Sequence, residues 1–161
     1  MLNFQDLYES YAAEIYRFAL RLSGNSHEAE DITSATFIRA WAHNNTIRTE
    51  TLKAYLFTIT RNVFLEQRRK RKHEVALEDV YTDPAPGPDK LVDAQFKLLR
   101  VQRVLQTLPE IDRTAFILRV ENDLPYDEIA RVLGLSLTAT KVKVHRVRKK
   151  LIATCIDKEI L

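Results

Sequence analysis

Tyr126-Asp127-Glu128-Ile129-Ala130-Arg131-Val132-Leu133-Gly134-Leu135-Ser136, with the basic stretch that follows to Leu151, decides the fold. Pro125 stands where a first helical turn tolerates proline, and Asp127 and Glu128 follow where the positive end of a helix dipole favours acids. Ile129, Ala130 and Val132 are spaced to face inward, and Gly134 supplies a turn conformation that residues with a Cβ resist. Ser136 is suited to cap a second helix whose apolar seam is Thr140, Val144, Val147 and Leu151. This spacing predicts a helix-turn-helix, with Ala130 small enough to let the two helices approach. The second helix keeps Lys141, Lys143, His145, Arg146, Arg148, Lys149 and Lys150 largely off its seam. Such a helix suits a major groove, with early residues toward bases and later ones toward phosphates. A merely solvated cationic face would not need Ala, Gly and Ser at those positions.

Working outward, Phe96, Leu99, Val101, Val104, Leu105 and Leu108 predict a helix closed by Pro109. Ala115, Phe116, Leu118 and Val120 predict another, ended at Glu121-Asn122-Asp123. Upstream lies Asp83-Pro84-Ala85-Pro86-Gly87-Pro88-Asp89, through which no helix can run. We read residues 74–93 as an acidic linker between a domain at 1–73 and a domain at 94–161. A surface loop inside one domain is the alternative, but structureless loops longer than about 12–15 residues are uncommon in compact domains.

The first half is helical as well. Phe4, Leu7, Tyr8, Tyr11, Ile15, Phe18, Ala19 and Leu22 recur at three- and four-residue steps on one face. Gly24 fits a stop, with Asn25 or Ser26 as the next N-cap. Ala29, Ile32, Thr33, Thr36, Phe37, Ala40 and Trp41 mark a second helix, broken at His43-Asn44-Asn45-Thr46. A third spans about 51–71, with Leu52, Tyr55, Leu56, Ile59, Val63 and Phe64 on one side and a basic end at Gln67-Arg68-Arg69-Lys70-Arg71-Lys72.

Composition agrees. The 161 residues include 3 Gly, too few for the turns of a many-stranded sandwich or barrel, so the fold class is all-α: two small helical domains joined by a flexible acidic linker. The longest apolar runs are a few residues, so no membrane insertion is expected, and the polar N-terminus shows no secretory signal. Cys155 is the only cysteine, which fits a reducing, cytoplasmic setting. His27, His43, His73 and His145 have no metal-ligand spacing with it. No phosphate-cradling glycine loop or nucleophile elbow occurs. We therefore expect no catalytic residues, no metal and no cofactor.

Charge is patterned. The formal net charge is only +3, but residues 61–73 carry six basic and one acidic group, and residues 135–161 carry seven and two. Between them, residues 74–93 carry six acids and one base. Around the first basic block stand Tyr55, Phe57, Asn62 and Phe64, and aromatics beside cations suit unpaired bases. Alone, such a block is equally a dipole-compatible helix end.

In order along nearly the whole chain, these features resemble bacterial extracytoplasmic-function (ECF) sigma factors, group 4 of the sigma-70 superfamily. Asp31-Ile32-Thr33-Ser34-Ala35-Thr36-Phe37-Ile38-Arg39-Ala40-Trp41 resembles that family's polymerase-binding helix. Lys53-Ala54-Tyr55-Leu56-Phe57-Thr58-Ile59-Thr60-Arg61-Asn62 resembles its minus-ten recognition helix. Leu108-Pro109-Glu110, Arg113 and the helix-turn-helix with His145-Arg146-Val147-Arg148 resemble its domain four.

The resemblance implies a non-enzymatic initiation factor that lends promoter specificity to core RNA polymerase. Asp31, Ile32, Ser34, Phe37, Arg39 and Trp41 would meet the beta-prime clamp helices, and domain four the beta flap. Asn44, Asn45, Tyr55, Arg61, Asn62, Arg68 and Arg69 would melt and hold the minus-ten element of promoter DNA. Ser136, Thr138, Lys141, Val142, Lys143, His145, Arg146, Arg148 and Lys149 would read the minus-thirty-five duplex. The linker would thread through the polymerase; about 20 residues at ~3.3 Å each reach ~66 Å, close to two DNA turns of ~34 Å. An anti-sigma factor or other regulator is implied by the family alone.

The sequence also departs from the family. Ser34 and Ala35 stand where its members usually have Gln and an acid, and Thr138-Ala139-Thr140 and Val142 replace the usual Gly-Thr-Val and Ser. Phosphorylation of Ser34 or Thr36 is one way to restore the missing charge, ordinary surface substitution the simpler account. Two other function classes remain in view at this level: a stand-alone helix-turn-helix regulator, and a helical adaptor with a solvated basic face. The first leaves residues 31–72 and the acidic linker unexplained, and the second lacks the steep salt dependence of phosphate binding.

Overall fold

In a computed structural model, residues 3–43, 52–75 and 93–155 form seven helices. These are α1 (Phe4–Ser23), α2 (Ser26–Ala42), α3 (Leu52–Val75), α4 (Asp93–Gln106), α5 (Glu110–Val120), α6 (Tyr126–Leu133) and α7 (Leu137–Cys155). The linker reading falls mostly outside the described residues, although α3 continues two residues past its expected boundary, to Val75.

Local chemistry sets the helix ends. The Asn3 side chain caps α1 by accepting from the Asp6 amide at 2.7 Å, and Gly24 ends it with φ of 70°. Asn25 caps α2 by accepting from the Glu28 amide at 3.1 Å. Glu28 also pairs with Arg71, which ties the start of α2 to the basic end of α3. Pro125 caps α6 with an extended backbone, one residue before the first turn. Gly134 closes α6 at φ 66°, and the Leu135 amide donates to the Ala130 carbonyl at 2.9 Å. Ser136 then caps α7, its hydroxyl accepting from the Ala139 amide at 3.1 Å.

Two bundles result. In the first, α1 packs on α2 and α3 around Ile15, Phe18, Leu22, Ile32, Phe37, Leu56 and Phe57. The Phe18 and Phe57 rings meet edge to face at 4.9 Å. In the second, α5, α6 and α7 enclose Ile117, Leu118, Ile129, Val144 and Leu151, with α4 across α5 and α7. All four residues of the expected α7 seam, Thr140, Val144, Val147 and Leu151, are buried.

Two features were not in the sequence reading. Leu7 alone of the first turns of α1 is buried in the core, while Phe4 and Tyr8 are exposed rather than packed inward. Second, the bundles pack against each other: α1 and α3 meet α5 and α6, and Glu121-Asn122, read only as a helix break, is part of that contact. Asp123 ends the break at a φ of 53°, a left-handed conformation that Asp tolerates better than most residues.

A Cβ built on Gly134 would meet no atom within 4 Å, so backbone conformation rather than space calls for glycine there. Gly134→Ala is expected to lower unfolding free energy by about 1 kcal/mol. Gly134→Asn should cost less, as denaturant titration would show.

Candidate nucleic-acid and polymerase-binding surfaces

A helix advances by about 100° per residue, so burial of one seam fixes what faces outward. On α7 the residues opposite the seam are Thr138, Val142, His145 and Lys149, flanked by Lys141 and Arg146, and all six are exposed. Arg148 and Ser136 are exposed as well. Lys143 differs from the expectation. It lies toward the seam, and its ammonium pairs with Asp112 of α5 at 2.8 Å. Its charge is therefore engaged inside the bundle, where it joins α7 to α5. Arg119 and Lys141 both sit over the ring of Tyr126, at 4.6 and 5.8 Å, which places a further cation, Arg119, beside the turn. The sequence reading passed over Arg119 because only the fold brings it to α6.

On α2 the burial pattern corrects the expectation. Ile32 and Phe37 are buried in the core, so they hold the helix in place and present nothing to a partner. Thr36 is also buried, its hydroxyl donating to the Ile32 carbonyl at 2.7 Å, which removes it as a phosphorylation site. Asp31, Ser34, Arg39 and Trp41 are exposed. Arg39 forms a two-pronged pair with Glu66 of α3 at 3.0 and 2.6 Å. Those hydrogen bonds hold the Glu66 carboxyl below its ordinary pKa and raise that of Arg39.

The apolar member of this surface is one the sequence reading passed over. Ile38 is 67% exposed, and Trp41 39%. The Trp41 ring meets Phe4 edge to face at 5.6 Å, and Phe4 stacks with Tyr8. Trp41 is thus both a packing residue and a surface one. Exposure of a large aliphatic side chain one helical turn before exposed Trp41 was the signal, and it needs the helix packing to be seen.

On α3, Asn62 and Arg69 are exposed and Tyr55 is half-buried. Arg68 lies over the Phe64 ring at 5.1 Å and donates to the Ser23 carbonyl at 3.2 Å. Arg61 is held by Glu110 of the other bundle. Asn44 and Asn45 lie outside the described residues. Among the described residues, no helix is long and apolar enough to cross a membrane.

Comparison with known proteins bears on the whole chain. Residues 7–74 match the family model for Sigma-70 region 2, and residues 98–151 match that for Sigma-70, region 4. ECF RNA polymerase sigma factor SigE of Mycolicibacterium smegmatis is 35% identical over 156 residues, covering 94% of this chain and 61% of that protein. ECF RNA polymerase sigma factor EcfG of Rhodopseudomonas palustris is 34% identical over 139 residues, covering 84% of this chain and 76% of its own length. Among solved structures, the sigma factor RpoE in complex with the anti-sigma factor NepR, from Bartonella quintana, superposes with a TM-score of 0.77 at 29% identity, over 93% of this chain and 94% of that one. Two helical bundles in sigma-region order, matched over both halves by sequence and by fold, place this chain in the family of ECF RNA polymerase sigma factors.

Proposed function

We propose that this protein binds core RNA polymerase through its first bundle, melts the minus-ten element with α3 and reads the minus-thirty-five duplex with α7. The observation that carries the reading is the outward face of α7: three cations and a histidine around Val142, set opposite a fully buried seam and behind a glycine turn. A helix in a major groove needs that division, one side anchored and the other free to meet base edges.

On α3, half-buried Tyr55 and exposed Asn62 and Arg69, at seven-residue steps along one face, supply aromatic and polar partners for an unpaired strand. On α2, exposed Ile38 and Trp41, extended by Phe4 and Tyr8, form an apolar patch bordered by Ser34 and Asp31. Its composition suits a helical polymerase surface, the beta-prime clamp helices, because aromatic anchors dominate protein interfaces. The protein is a regulatory factor of the cytoplasm, and the polymerase performs the catalysis. An anti-sigma factor is the expected antagonist, as in the Bartonella quintana complex.

Run-off transcription with core polymerase on a promoter library tests the whole reading. No promoter-dependent transcript would overturn it. Arg146→Ala is expected to cost about 1–3 kcal/mol on promoters that depend on the minus-thirty-five element, and little elsewhere. Asn62→Ala should abolish open complexes, read by permanganate footprinting, while duplex binding is kept. In a binding titration with core polymerase, Ile38→Asp or Trp41→Ala should lose about 2 kcal/mol or more of affinity, and unchanged binding would move the docking site away from this patch.

A further inference from the structure

The outward face of α7 is polar and cationic except at its middle. Of Thr138, Lys141, Val142, His145, Arg146 and Lys149, Val142 is the one wholly apolar side chain, and it is 40% exposed. At 100° per residue it stands roughly 190° around the helix from the middle of the buried seam, so its own bundle cannot cover it. Its direction is fixed from both sides. The next residue, Lys143, is held to Asp112 of α5 at 2.8 Å. Two residues before it, buried Thr140 donates its hydroxyl to the Ser136 carbonyl at 2.8 Å. A valine in a helix keeps essentially one χ1 rotamer, so a contact through its methyls costs little side-chain entropy.

A valine side chain neither donates nor accepts a hydrogen bond. In the major groove guanine shows acceptors, cytosine a donor, adenine one of each, and thymine an acceptor beside the only apolar group, its C5 methyl. Pressed against guanine or cytosine, Val142 strips water from a polar edge and returns no bond, a loss that discriminates against those bases. Against thymine it buries a methyl on its own methyls, with no donor left unpaired. Lys141, Arg146 and Lys149 cannot make that choice, because a cation is answered by any phosphate and by guanine.

We propose that Val142 is a specificity-determining residue that makes minus-thirty-five recognition depend on the C5 methyl of one pyrimidine, a thymine in unmodified DNA. The proposal rests on the reading of α7 as the helix in the groove. The cations then supply affinity, and Val142 supplies a choice made by shape and dehydration. It follows that 5-methylcytosine is favoured over cytosine at that position, so methylation of the element changes promoter choice.

The test uses the full chain bound to core polymerase and the promoter that gives the strongest transcript from the library. Each thymine of its minus-thirty-five element, on both strands, is replaced singly by deoxyuridine, which removes only the methyl. At one position the wild type should lose about fourfold in affinity, the worth of one buried methyl. Val142→Ser should bind the thymine and uracil promoters alike, because the group that met the methyl is gone. If that variant binds too weakly to measure, the same comparison is made with Val142→Ala. Cytosine at the sensitive position should weaken wild-type binding, and 5-methylcytosine should recover about fourfold of the loss. The proposal is overturned if no uracil substitution matters, if the loss persists undiminished in the Val142 variants, or if 5-methylcytosine binds no better than cytosine. A polymerase complex indifferent to every base change in the element, and to Arg146→Ala, overturns the reading of α7 itself.

Discussion

The last turn of α1 leaves carbonyl oxygens that its own helix cannot satisfy, and the arrangement of both bundles follows from how they are met. The Arg21 carbonyl accepts from Gln106 at 2.9 Å and from Gln102 at 3.2 Å. The Leu22 carbonyl faces Arg113, and the Ser23 carbonyl accepts from Arg68 of α3. Two of these donors come from α4 and one from α5, so a helix terminus in one bundle is completed by the other. The negative end of the α1 dipole meets two guanidinium groups there, the favourable sign. Gly24 makes this possible by turning the chain sharply enough to leave the carbonyls open to donors.

That constraint couples two bundles that each have a centre of their own. Each bundle has its own buried apolar centre, with Phe18 and Phe57 in one and Ile117, Leu118 and Val144 in the other. Where they meet, ion pairs, amide-to-carbonyl bonds and one loosely bonded arginine border an apolar core that runs through both. Exposed or half-exposed ion pairs each contribute modestly, because water competes for the same groups.

Much of the architecture was legible in the sequence because it is written in local terms. Caps, helix stops and apolar periodicity act over three or four residues, so Gly24, Pro125, Gly134 and Ser136 are assigned from spacing alone, and the cap of α2 is narrowed to Asn25 or Ser26, of which the structure uses Asn25. The seam of α7 was legible for the same reason. Site residues were harder. Periodicity marked Ile32 and Phe37 as apolar, and the resemblance placed them on a docking face, but three-helix packing buries both and turns Ile38 outward instead.

By itself, then, the sequence determined that the chain is helical, where its helices begin and end, that a helix-turn-helix follows an acidic Pro-rich stretch, and which helix faces carry charge. Only the tertiary structure decided which of those charges are free. Lys143 is taken by Asp112, 31 residues away, and Arg61 by Glu110, 49 residues away. Side-chain pairing at such separations depends on how whole helices cross, and local spacing carries no information about that. The same physical limit explains Arg113: its type and position were visible in the sequence, but its burial against the end of α1 exists only once the two bundles meet.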